Sequence, residues 1–403
     1  MGARRAVPGK HLVQHVGNGH LPGECTPTRG HRPAAARFLA ALALAAALAL
    51  PATAAAEAPR PLTLDALLQA APVIHLSRRD AHSAIRYNGR RWRGTPRTEI
   101  LAWLRGKAGG DADFTSADVD RIARIQRGAG VPANRVDGRL GNATMAVLLH
   151  AGLALSPENV HASHVELLFY PGSREDLDAW ARARAGVDAR APGAYREVVD
   201  QAPAGGGVLY VAVDGRVVDM APARGGPPFR LSSGTHTADP SKPGRYRLGR
   251  GKPYRTASWY YSQIPWGAAL RAKDGEIQFR PDDAKRWQWA TGPRSKLDYE
   301  IPRADFYGED GALMTAWRLN DFGALAWRLN GSPGLLIHST PGLEAGDEPL
   351  PPSHGCLHLS PEARRHLVSA GYLRRGVHVV IKRYRDHLLP RPMLARVRAG
   401  EGS

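Results

Sequence analysis

At Gly205-Gly206-Gly207 the hydrophobic rhythm of the chain changes, and no other feature limits the fold as much. Upstream, apolar residues recur at helical spacing. Val119, Ile122, Ala123 and Ile125 mark one face of residues 116–130, opened by Thr115-x-x-Asp118 in capping-box form. Gly128 and Gly130 end that element, and Val131-Pro132 forbids its continuation. Asn142 is placed to cap a second helix over 143–151, closed by Gly152, and residues 156–205 read as helix and linker. Downstream the period becomes that of strands. Residues 208–213 and 216–220 flank Asp214-Gly215, a two-residue hairpin signal. Residues 334–338 and 377–381 read as short buried strands, and Ser360-Pro361 opens a helix ending at Gly371. The expected fold class is multidomain α+β, with a helical N-terminal part and a mostly β C-terminal half.

The first 56 residues are expected to be an export segment. Residues 38–50 are an unbroken run of Phe, Leu and Ala, preceded by Arg29, Arg32 and Arg37. Ala52-Thr53-Ala54 and Ala54-Ala55-Ala56 offer exit sites. Crossing a bilayer takes roughly 20 apolar residues, so no membrane span is expected once the segment is cleaved. The stretch before the run is long for an n-region, which places the expected start downstream of Met1. Cys25 leaves with this segment, so the remaining chain holds a single cysteine, Cys356, without an intramolecular disulfide partner. The net charge of +18 falls to +13 without residues 1–56. That balance favours anionic partners, and an exported chain without a nucleic-acid-binding motif is not expected to meet nucleic acid.

Chemistry concentrates in Ser353-His354-Gly355-Cys356-Leu357-His358-Leu359, preceded by Ile337-His338-Ser339-Thr340. A free cysteine is mostly protonated at neutral pH, so a histidine able to take its proton makes a competent acyl-transfer nucleophile. Gly355 lets backbone N–H groups approach a substrate oxyanion. His338 ends an apolar strand, a rigid platform for a base. The same residues, His354-x-Cys356-x-His358 with His338, also have the composition of a tetrahedral nitrogen–sulfur metal site.

The pattern of a histidine, fourteen residues and then Ser-His-Gly-Cys resembles the L,D-transpeptidase catalytic domain, and the likeness runs from about Val208 to Arg383. The resemblance implies Cys356 as nucleophile, His338 as general base and the Ser339 carbonyl as the group that orients the imidazole. It implies an oxyanion hole of the Gly355 and Cys356 N–H groups, with Ser353, His354 and His358 at the substrate. The implied partners are peptidoglycan stem peptides, a tetrapeptide donor and an amine acceptor, with no cofactor and no metal. Two departures stand out. His358 replaces the usual Arg or Asn two positions after the cysteine, and Lys242-Pro243-Gly244-Arg245 only approximates an upstream Thr-Pro-x-Gly segment.

Upstream, Ile122, Ile125, Gln126, Val136, Asp137, Gly138, Gly141, Thr144 and Ala146 resemble the small peptidoglycan-binding domain of wall enzymes, which implies wall contact through Asp137, Gly138, Gly141 and Thr144. The expected division is thus a signal segment at 1–56, a binding-like helical domain at 62–155, a helical linker at 156–205, a catalytic domain at 206–385 and a basic tail at 386–403. Six of the nine tryptophans lie between Trp259 and Trp327, where residues 254–330 read as a capping insertion. The ten-residue duplication Ala316-Trp317-Arg318-Leu319-Asn320 and Ala326-Trp327-Arg328-Leu329-Asn330 suggests two strands joined by a turn. The expected location is the periplasm or envelope. Rival readings are a thiol-dependent peptidoglycan hydrolase (L,D-carboxypeptidase or amidase) and a non-catalytic wall-binding protein.

Overall fold

A computed structural model describes residues 62–397 apart from 108–111, 158–162, 189–197, 199–206, 234–235, 258, 333 and 341–352. The expected export segment, Cys25 and residues 398–403 lie outside the described residues.

The N-terminal part is helical: α1 (Leu64–Gln69), α2 (Arg78–Arg91), α3 (Gly94–Arg105), α4 (Ser116–Gly128) and α5 (Asn142–His150). The capping box at Thr115 forms as expected. Asp118 N–H donates to Thr115 Oγ1 at 3.3 Å, and Thr115 N–H donates to Asp118 Oδ2 at 2.8 Å. Arg105 clamps the same carboxylate at 2.6 Å. Asn142 behaves differently from the expectation. The N-cap of α5 is Gly141, without a side-chain cap. The Asn142 amide instead spans to the C-terminal half, donating to Gly215 O at 3.1 Å and accepting from Val217 N–H at 3.2 Å. A partner far along the chain outcompeted the local one.

Eight strands close a barrel: β1 (Val165–Tyr170), β2 (Gly207–Val213), β3 (Arg216–Arg224), β6 (Gly244–Leu248), β10 (Trp327–Asn330), β11 (Leu336–His338), β12 (Leu357–Leu359) and β13 (His378–Ile381), in the order β1-β13-β6-β10-β11-β12-β3-β2. A small hairpin, β4 (Leu231–Ser233) and β5 (His236–Ala238), stands apart. The β2–β3 hairpin turns on Asp214 (φ +49°) and Gly215 (φ +76°), the two positive values that a tight turn requires. Strand β1 corrects the reading of 156–205 as helix and linker. Val165-Glu166-Leu167-Leu168-Phe169-Tyr170 pairs parallel with β13 and antiparallel with β2, so it completes the barrel. A six-residue segment, apolar but for Glu166, has no period that separates a buried strand from a buried helix. The rest of that stretch does hold a helix, α6 (Arg174–Ala185), opened by a capping box at Ser173.

Between β6 and β10 lies a segment with its own sheet of β7 (Ala269–Lys273), β8 (Glu276–Arg280) and β9 (Gln288–Trp289); the bounds expected for an insertion, 254–330, took in β10, which is a strand of the barrel. Its separate core holds Ile264, Leu270, Ile277, Phe279, Phe306 and Trp317. The duplicated segments part company here. Trp317 fills the insertion core outside any strand, whereas Trp327 opens β10 and fills the main core. Equal sequence met two unlike surroundings. Helix α7 (Pro361–Ser369) follows β12, with Ser360 Oγ capping Ala363 N–H at 3.1 Å. Helix α8 (Arg391–Arg396) forms within the expected tail, burying Met393 in a core shared by the helical part and the barrel. Among the described residues no helix is long and apolar enough to cross a membrane.

Candidate active site

Two short parallel strands carry the site. Ile337 pairs with Leu357 and His338 with His358. Ile337, Leu357 and Leu359 enter the main core, while Leu336 joins Phe322 and Ala326 in a separate cluster that Cys356 and Tyr254 pack against. Side chains alternate along a strand, so Leu336, His338, Cys356 and His358 share the face turned away from the main core. That face carries the chemistry.

His338 is 4% exposed, with its ring centroid 4.8 Å from Phe322 and 4.6 Å from His358. Its Nδ1 lies 2.7 Å from the Ser339 carbonyl oxygen. A carbonyl only accepts, so Nδ1 carries the proton and the neutral ring presents Nε2 as a base. Burial pushes the imidazole down to about 4, opposed by that backbone bond. Burial also pushes the Cys356 thiol up to about 11, opposed by contact with the Leu336 backbone. At neutral pH the environment therefore favours a neutral thiol beside a neutral imidazole, and proton transfer waits for attack. Thiol and imidazole share no hydrogen bond in this state among the described residues. The partly exposed Cys356 donates instead to Gly334 O at 3.5 Å, and His338 Nε2 has no hydrogen-bond partner among the described residues. Catalytic hydrogen bonds commonly tighten only when substrate is bound.

The loop before the thiol is pinned from three sides. Ser353 is fully buried, and its Oγ accepts from Gly355 N–H at 3.0 Å. This engages the Gly355 donor expected in the oxyanion hole, because Ser353 supplies a nearer acceptor. His354 O accepts from Asp239 N–H at 3.2 Å, and its ring meets Trp259 edge-on at 5.1 Å. Gly355 O accepts from Ser241 Oγ at 2.6 Å, and that hydroxyl accepts from Gly226 N–H at 2.9 Å. Gly355 has φ +129°, a conformation L side chains rarely adopt. A Cβ at Gly226 would lie 2.1 Å from Asp239 O and 2.9 Å from Gly355 N, so glycine is required where the loop is stapled.

His358 is 6% exposed and packs on His338; across β3 its register partner is the buried Arg224. Burial lowers the Arg224 guanidinium from its usual value. Arg364, on α7, donates to Ser339 Oγ at 2.6 Å, beside the carbonyl that holds His338. Ser241, Arg224 and Arg364 were missed in sequence. No motif or spacing marks them: Ser241 and Arg224 reach the site from distant segments, and Arg364, on the helix just after β12, stands outside the recognised pattern. The residues of the helical part, Asp137, Gly138, Gly141 and Thr144, form no part of this face. Asp137, Gly138 and Thr144 are tied to Gln126, whose Oε1 accepts from the N–H groups of Asp137 and Gly138 at 3.0 Å each. Its Nε2 donates to Asp137 Oδ1, Arg139 O and Thr144 Oγ1 at 3.0–3.1 Å.

Comparison with known proteins bears on the C-terminal half. The YkuD family, the L,D-transpeptidase catalytic domain, matches residues 202–381. Those residues form an L,D-transpeptidase-type catalytic domain. A solved L,D-transpeptidase from Mycobacterium smegmatis is 16% identical at a TM-score of 0.23, the alignment covering 55% of this chain and 59% of that one. An L,D-transpeptidase from Xylanimonas cellulosilytica DSM 15894 is also 16% identical at a TM-score of 0.24, covering 72% of this chain and 96% of that one. A search of curated proteins found no match.

Proposed function

We propose that the chain is an exported envelope enzyme that cross-links peptidoglycan stem peptides through a thioester on Cys356. The observation that carries this reading is the imidazole of His338, its Nδ1 committed to Ser339 O and its Nε2 open, on the strand paired with the one that follows Cys356. In the proposed reaction Cys356 Sγ turns from Gly334 O and attacks the carbonyl that follows the L-centre of diaminopimelate in a tetrapeptide. The thiol proton passes to His338 Nε2 and then to the departing D-Ala amine. An acceptor amine next attacks the thioester, its proton returns through His338, and the thiol is restored as a 3→3 cross-link forms. Ser339 holds the base, Ser353 and His354 shape the loop, and His358 buttresses the imidazole from the substrate side. Residues 62–155 act as a wall-binding module in this reading.

Incubation of the protein with disaccharide-tetrapeptide, followed by mass analysis, tests the proposal. A Cys356 adduct lacking D-Ala, together with cross-linked dimers, is the expected result. Tripeptide monomers without dimers would instead identify a hydrolase, with water as acceptor. Absence of any adduct would remove the thiol from the reaction.

A further inference from the structure

A second basic feature lies well away from the thiol. Tyr87, Arg90, Arg91, Arg93, Pro96, Asp214 and Arg216 line a cleft of about 740 Å³ where α2 and α3 meet the β2–β3 hairpin. Four guanidinium groups face one carboxylate. Two of the four form a fixed floor. Arg91 donates to Asn142 Oδ1 at 2.6 Å and Gly215 O at 3.0 Å, and Arg216 donates to Arg91 O at 3.3 Å with its guanidinium 5.4 Å from the Trp92 ring centre. Arg91 Nε is buried without a hydrogen-bond partner among the described residues. Arg90 and Arg93 are exposed at the rim. The carboxylate, Asp214, already accepts from His164 N–H at 2.9 Å. Arginines in the last turn of a helix routinely oppose its dipole, which accounts for Arg90 and Arg91. It does not account for Arg93, beyond the helix, or for Arg216, on the barrel.

We infer that this cleft is a carboxylate-binding subsite for the peptidoglycan strand, separate from the catalytic face. The inference rests on the proposed function and names the surface by which the helical part holds the wall. A guanidinium presents paired donors that match a carboxylate, and several of them gathered on one open surface match an anionic polymer laid across it. Strand β3 carries Arg216 at the cleft and Arg224 beside His358, which sets the two sites roughly 25 Å apart at about 3.3 Å per residue. The Gln126 network, by contrast, spends Asp137 and Thr144 on internal bonds. The cleft therefore anchors polymer while a separate stem peptide occupies the thiol.

The test reads binding of the Cys356→Ala chain to purified sacculi by co-sedimentation, with and without Arg90→Glu and Arg93→Glu. Loss of two charge-assisted contacts should weaken binding about tenfold or more. The melting temperature should not move, and Arg90→Gln with Arg93→Gln serves if charge reversal disturbs folding. With Cys356 restored, the double variant should keep the kcat and KM of the parent on disaccharide-tetrapeptide and lose rate only on sacculi. Unchanged sacculus binding by a folded double variant would overturn the inference. So would loss of the parent's binding after phosphate-bearing polymers are stripped from the sacculi, which would make the ligand a phosphate. Arginine-dependent binding without any thioester on Cys356 would refute the proposed reaction and leave the cleft standing.

Discussion

Gln126 and His338 are both buried polar side chains that organise a glycine-bearing segment, and they end differently. Gln126 satisfies its acceptor and donor ends five times over, against Asp137, Gly138, Arg139 and Thr144. His338 satisfies one nitrogen against Ser339 and leaves the other open on the face that carries a thiol whose hydrogen bond to Gly334 O is long. Complete satisfaction makes a staple, because any change leaves a buried group orphaned. An uncommitted atom on a rigid platform makes a reagent. The two regions thus separate positioning from chemistry within one molecule.

The widest gap between them should appear on removing the reagent itself. Cys356→Ala should lower turnover by roughly 10⁴-fold or more while leaving the melting temperature within a degree or two. Residual turnover near the parent's would place the nucleophile elsewhere. His338→Ala should cost about 10²–10⁴-fold in kcat, the range of general-base catalysis.

Acid should strike both halves. Burial holds His338 at about 4 and His150, which bonds Tyr210 OH at 3.0 Å, also at about 4. Each is held neutral, His338 buried and His150 half-buried, and each is lowered from its unfolded value near 6.5, so the unfolded chain binds the extra protons. Their contribution is fully present above about pH 6.5 and is lost as pH falls toward 4, on the order of 3 kcal/mol for each. Denaturant melts at pH 7 and pH 4.5 would check this, and His150→Phe should flatten the slope. A slope unchanged by that substitution would mean His150 is not held neutral in the fold.

Gln126→Ala should destabilise the fold by about 2–3 kcal/mol through orphaned N–H groups, yet leave kcat on a small muropeptide intact in the folded fraction. A kcat loss there would erase the distinction drawn above. Ser241→Ala should be the mildest, costing about 1–2 kcal/mol and slackening the Gly355 loop, which raises KM more than it lowers kcat.

Local features were legible in advance. The Thr115–Asp118 box, the Asp214-Gly215 hairpin and the Ser360-Pro361 helix start all appear, since each is decided by residues within a few positions of one another. Strand β1 was not legible, because six residues, apolar but for Glu166, carry no diagnostic period. Asn142 was read as a cap and became a bridge, and residues 391–396 were read as tail and became a helix against the core. In both, distant packing outweighed local preference.

By itself the sequence determined which atoms are available: one thiol downstream of residue 56, a histidine fourteen residues before Ser-His-Gly-Cys, and a glycine where φ must be positive. Only the tertiary structure decided their condition. The pairing of β11 with β12, the reach of Ser241 and Arg364, and the burial that lowers His338 while raising Cys356 all depend on segments far apart in the chain. Residue identity is a local property, whereas protonation, register and exposure are set by what folds on top.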